Sequence, residues 1–188
     1  LPVAREAATD YPVVPGSSLK GALSSLARQS GKMSPSQRED VFGRRDNAGT
    51  LLVSDARLLL LPVRSLQSAY KWVTCPHLLE RFTRDSLRAN SANSASSSEV
   101  EAGKYLGKGD ESLFLEERQF SSCGRIPEGL TGAIGSLIQH GATRKRLSEQ
   151  LVIINDDDFA WFARCGLAVQ ARNVLDEEKK TSQNLWYE

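Results

Sequence analysis

The stretch PGSSLKG, residues 15–21, gathers residue types that suit a phosphate. Gly16 lets a backbone approach a ligand closely and adopt angles that other residues avoid. Ser17 and Ser18 add hydroxyls beside the free N–H groups of a helix start, where anions are favoured. Lys20 brings a mobile positive charge one turn in, and Gly21 keeps the nearby helix surface open. The same letters also describe a turn, a cap and a solvated lysine, so the stretch alone leaves both readings open. Its spacing is neither G-x-x-x-x-G-K-[ST] nor G-x-G-x-x-G after a strand. A mononucleotide enzyme built on this stretch is therefore the weakest class of function.

Other reactive side chains give less. Asp156, Asp157 and Asp158 form a triple acid, but they follow Asn155 at a helix start, where capping and the helix dipole explain them without a metal. Cys75, Cys123 and Cys165 are far apart, no C-x-x-C pair exists, and the only histidines are His77 and His140. That pattern argues against a zinc site or a disulfide framework and fits a reducing cytoplasm. Cys75 reads as a core residue and His77 as outward-facing. With 24 Lys and Arg against 23 Asp and Glu, the chain is not coated in basic charge. A local basic groove remains compatible with that balance.

The elements that must position these residues alternate between helix and strand. Residues 1–15 read as extended, with YPVV favouring strand. A helix over 17–29, capped by Ser17 or Ser18 and stopped at Gly31, places Leu19, Ala22, Leu23, Leu26 and Ala27 along one face. Residues 32–49 read as loop, and 50–54 and 57–63 as strands. A second helix, capped by Thr74, points Cys75, Leu78, Leu79 and Phe82 inward and turns Arg81, Arg84 and Arg88 to water. Residues 90–112 read as a flexible insertion around a serine-rich run. SLFLEERQF reads as one strand, ATRKRLSEQ as a helix, LVIIN as a buried strand and DDDFAWFARCG as a helix. Residues 167–188 read as a β-hairpin. The whole is an α+β pattern compatible with a ferredoxin-like sheet.

YPVVPGSSLKGAL, VFG, AGTLLVSDARLLLLPVRSLQSAYKWVTCPHLLERF, LVIINDDDF and LWYE occur in a fixed order. That set resembles the RAMP superfamily of CRISPR proteins, and more narrowly the backbone subunits of the type III-B Cmr effector complex. The likeness is dense over residues 1–82 and looser over 147–188. PGSSLKGAL is widespread among RAMP proteins, whereas LLPVRS with WVTCP is more specific.

The resemblance implies a single, partial RAMP domain over residues 1–188, with a ferredoxin-like, modified RNA-recognition-motif fold, insertions, and a thumb-like hairpin at 167–188. It implies guide-RNA phosphates at Gly16, Ser17, Ser18, Lys20 and Gly21, with Arg5 and Arg64 as further contacts. For Arg5 the alternative is an ion pair with Glu6 or Asp10; for Arg64 it is a pair with Asp55. Trp72 either stacks on a base or packs between helix and sheet. Near the cleavage site, Tyr187 would orient a nucleotide and Glu188 a metal or water, or the pair would simply end a strand.

The implied partners are guide RNA, target RNA, other Cmr subunits and further copies of the chain in a filament, in the cytoplasm and with no membrane. Cleavage of complementary RNA in the family uses a divalent metal, Mg²⁺ or Mn²⁺. The aspartate it requires would fall just ahead of Leu1, so the expectation is a chain truncated at both ends with no catalytic residue of its own. A non-catalytic guide-RNA scaffold is the alternative.

Overall fold

The computed structural model describes residues 3–91, 99–109, 111–167, 171–175 and 182–187. The chain divides into two compact units. One comprises Leu1–Ala8, Pro12–Arg57 and Arg172–Glu188, the other Thr9–Tyr11 and Leu58–Ala171.

In the first unit, β1 (Val13–Val14) pairs antiparallel with β2 (Ala56–Arg57) and leads into α1 (Gly16–Ser30). Gly31 ends α1 in a left-handed conformation, its N–H returning to the Arg28 carbonyl, a turn that glycine adopts without a Cβ clash. Among the described residues the apolar stripe of α1 is only partly covered, with Leu19 and Ala27 half-buried but Leu23 44% and Leu26 62% exposed. Periodicity reports that a helix is amphipathic, not what covers it. Residues 35–42, expected as loop, form α2 (Pro35–Phe42). Ser34 accepts from the Gln37 N–H while Gln37 Oε1 accepts from the Ser34 N–H, and Pro35 occupies the first helical position. That capping box is written in S-P-S-Q, but no apolar periodicity announces the helix behind it.

The second unit holds one six-stranded mixed sheet in the order β3 (Leu61–Val63), β4 (Lys71–Thr74), β8 (Leu151–Ile154), β5 (Lys104–Gly107), β7 (Arg118–Gly124), β6 (Leu113–Leu115). The pairs β4–β8 and β5–β7 are parallel; the others are antiparallel. The sheet curls until its two edges meet. Ser65 bridges Leu115, and the Glu116 N–H donates to the Arg64 carbonyl at 2.9 Å.

All four residues of β8 are buried, and successive side chains serve opposite faces, as strand geometry requires. Val152 and Ile154 join a core with Leu78 of α3 (Pro76–Arg88) and Phe159 and Phe162 of α6 (Asp156–Cys165). Leu151 and Ile153 join a second core with Leu130 and Ile134 of α4 (Leu130–Ser136) and Leu147 of α5 (Gly141–Gln150).

Several expectations are corrected by the fold. SLFLEERQF is not one strand but the hairpin β6–β7, turning at Glu116 and Glu117, with Glu116 at φ 50°. Residues 50–54 are not a strand. Cys75, not Thr74, precedes α3, and Thr74 ends β4. Arg81 is buried, its guanidinium donating to the Leu58 carbonyl at 3.4 Å, while Arg84 and Arg88 lie nearer solvent. Within the expected insertion, residues 104–107 are the interior strand β5, whose Tyr105 and Leu106 are buried; residues 92–98 and 110 lie outside the described residues. β9 (Ala171–Leu175) and β10 (Ser182–Tyr187) pair as a two-stranded sheet. The curled sheet with its flanking helices bears out the expected α+β class. Among the described residues no helix is long and apolar enough to cross a membrane.

Candidate RNA-contact site

The start of α1 is built differently from a simple serine cap. Pro15 holds the cap position, and neither Ser17 nor Ser18 makes a side-chain cap. Asp55 does that work from 39 residues away, its Oδ1 accepting from the Gly16 N–H at 2.7 Å. Gly16 is buried, and a Cβ there would meet the Val53 carbonyl oxygen and, at 2.9 Å, the Ser54 carbonyl carbon. Its missing side chain therefore serves the approach of residues 53–54. A ligand is not what demands glycine at this position.

What remains open to solvent is the next part of the turn. Ser17 and Ser18 are exposed, and Leu19 N–H is the first amide to close onto the helix, at the Pro15 carbonyl. Among the described residues, no acceptor meets the N–H of Ser17 or Ser18, and no carboxylate pairs with half-exposed Lys20. The first turn contains no acidic residue. Gly21 is exposed, with open space where a Cβ would stand. Residues 12–57 carry seven Lys or Arg against four Asp or Glu, so the unit is more basic than the chain as a whole.

The other candidates have settings of their own. Arg5 lies in the same unit, in an antiparallel bridge with Pro12 next to the Val13-to-Ala4 backbone bond. Arg64 belongs to the second unit. Its side chain is 84% exposed, with the guanidinium 3.9 Å from Glu116, while Asp55 is committed to Gly16. It lines an open cleft of about 530 Å³ with Pro62, Glu116, Glu117, Trp161 and Leu167. Trp72 is half-buried, packed on the second core and edge-on to Tyr70 at 5.2 Å. Tyr187 falls in β10, and Glu188 lies outside the described residues.

The triple acid is structural. Asp156 accepts from the His77 N–H at 3.0 Å, tying the start of α6 to that of α3. Asp158 accepts from the Gly103 N–H at 2.9 Å and from Arg118 at 3.0 Å, and Arg118 lies over the Trp161 ring. Asp157 stays exposed in the helix's first turn, where the dipole favours it. Cys75 is fully buried against the Tyr11 hydroxyl and Asp156, and burial pushes its thiol far above the usual range, so it is no nucleophile. Among the described residues no three His, Cys, Asp or Glu side chains converge as metal ligands.

Sequence reasoning missed Asp55. Nothing local marks a carboxylate 39 positions downstream as a helix cap.

Known proteins place this geometry. The chain is 27% identical over 205 residues to the CRISPR system Cmr endoribonuclease Cmr4 of Pyrococcus furiosus, a match spanning 100% of this chain and 68% of that protein. The crystal structure of oligomeric Cmr4 from the same organism superposes with a TM-score of 0.78 at 28% identity, over 99% of this chain and 73% of that one. A chain of the type III-B Cmr-beta complex bound to cognate target RNA shares the fold, with a TM-score of 0.66 at 22% identity, over 100% and 69% of the two chains. The model of the RAMP superfamily matches residues 1–188, and the chain therefore belongs to the RAMP superfamily.

Proposed function

We propose that this chain is a backbone subunit of a type III-B RNA-guided effector, covering guide RNA through phosphate contacts at the start of α1. One observation carries the reading: the Ser17 and Ser18 amides and the Lys20 ammonium are presented together, with no acidic residue in that turn. A phosphodiester suits that set because it accepts from amides, hydroxyls and ammonium alike. Such contacts ignore base identity, which suits a subunit that must accept any guide. Asp55 sets the register, since its carboxylate already holds the Gly16 amide. The phosphate then sits toward Ser17, Ser18 and Lys20. Arg5 and Arg64 are proposed as further contacts, β9–β10 as the thumb carrying Tyr187, and copies of the chain and other Cmr subunits as its protein partners. The relation to Cmr4 supports these proposals.

Contribution to cleavage of complementary RNA is proposed at the level of geometry. A thumb that distorts the bound strand brings the 2′-hydroxyl, phosphorus and leaving oxygen into line. The described residues do not fit a divalent ion, because Asp156 and Asp158 hold backbone and arginine partners and no third ligand joins them. The chain is then a positioning scaffold in its described part.

Binding of a labelled single-stranded RNA across a salt series tests the reading, comparing the chain with its Ser17→Ala/Lys20→Ala variant. We expect weaker binding and a shallower dependence of log affinity on log salt, by about 0.7 for each phosphate that is no longer neutralised. Unchanged affinity and slope in a folded variant would return PGSSLKG to a turn and a solvated lysine.

A further inference from the structure

We propose that the outward face of α5, through Lys145 and Arg146, is a second contact for RNA phosphates; this rests on the RNA-binding reading above. The helix carries three consecutive basic residues, Arg144, Lys145 and Arg146, and the fold uses only the first. Arg144 is exposed but engaged, its Nε and Nη2 donating to the Ile138 carbonyl at 3.0 and 2.5 Å, where they satisfy an acceptor just beyond the end of α4. Its stem packs beside Gly135.

Leu147 is fully buried and fixes the inner face. Helical spacing then sends Ala142, Lys145, Arg146 and Glu149 outward. The one acid among them is already engaged. Glu149 pairs through its carboxylate with Lys108, and its carbonyl accepts from Lys71 at 3.0 Å. Lys145 and Arg146 are exposed, and among the described residues no carboxylate pairs with either.

Their place on the helix gives no internal return. They occupy the middle of a ten-residue helix with no acidic residue in its first turn and none of its basic residues in its last. Cations favour the C-terminal turn of a helix, so these charges do not stabilise α5. A charge that the fold neither pairs nor uses is available to an anionic partner. An adjacent lysine and arginine on an exposed helix suit a polyanion with regularly spaced charge, and phosphates along an RNA strand meet that description.

The test is the same salt series on the full chain, with Lys145→Gln/Arg146→Gln set beside Ser17→Ala/Lys20→Ala, and with Lys145→Arg/Arg146→Lys as a charge-preserving control. We expect the glutamine pair to bind about tenfold more weakly at low salt, with a slope shallower by about 1.4, the change that two phosphates account for. The control should bind like the parent, and all variants should melt alike. Unchanged binding in the glutamine pair, with weaker binding in the Ser17 and Lys20 variant, would overturn this inference and leave the α1 reading standing. Unchanged binding in both would overturn the RNA reading itself and this inference with it. If the glutamine pair were impaired only in binding poly-glutamate, the face would belong to an acidic protein segment and the proposal would fall.

Discussion

At the scale of single residues, the structure separates what glycine and cysteine permit from what they do. Gly16 has the freedom a ligand loop needs, yet its missing Cβ is consumed by residues 53–54. The phosphate case passes to Ser17, Ser18 and Lys20. Cys75 is the opposite kind of lesson, since its apolar setting is readable and its consequence is measurable. Burial raises the Cys75 thiol, and it raises the Tyr11 hydroxyl in the same way. Both groups are held protonated in the folded state. Their contribution is complete below the unfolded pKa, about 8.5 for a thiol and about 10 for tyrosine, and declines as pH rises beyond those values. Stability should fall progressively above pH about 8.5. With an aromatic disulfide reagent near pH 8, exposed Cys123 and Cys165 should react in the folded chain and Cys75 only in denaturant. Three fast thiols in the native protein would refute the assignment.

At the scale of elements, structure was legible wherever apolar residues recur along one face of a segment. The helix of α1, the core positions of α3, and α5, β8 and α6 all appear where their patterns place them. Failures have specific causes. α2 carries its start signal in Ser34, Pro35 and Gln37 but buries none of its own residues, so its apolar pattern is silent. β5 hides because Tyr105 and Leu106 are flanked by glycines and lysines that resemble a linker. The β6–β7 turn hides because its first residue is Glu116, not the glycine or asparagine that a positive φ favours. The residues proposed to contact RNA were legible as chemistry, but the Asp55 cap and the Glu116 partner of Arg64 depend on folding and were not.

Glu116 thus makes a prediction about a turn and about a site. Glu116→Asn should relieve strain at φ 50°, raising stability by up to about 1 kcal/mol in thermal unfolding. It also removes the carboxylate beside Arg64. If Arg64 meets phosphate, RNA affinity should rise in the variant, most clearly at low salt, where screening is weakest. A stabilised variant with unchanged RNA affinity would remove Arg64 from the interface.

At the scale of the whole molecule, charge and packing are distributed unevenly. A net charge of +1 gives the chain as a whole little attraction for RNA. On the proposed reading, affinity comes from local basic excess, which residues 12–57 and α5 carry. Packing is concentrated in the second unit, because among residues 3–8 and 12–57 of the first only Gly16 is buried. Within the second unit the two cores share β8, whose alternate side chains belong to one core and then the other. That strand couples them mechanically, since neither face can lose its packing without loosening the backbone that carries the other. Phe159→Ala removes a fully buried ring from the first core and Ile134→Ala a buried side chain from the second. Each should cost about 2–5 kcal/mol. Because of the shared strand, each should lower one common unfolding transition, whichever face is cut. Calorimetry and near-ultraviolet circular dichroism on the two variants would show it. A variant that splits the transition, melting one core while the other persists, would show that β8 separates the two faces instead of joining them.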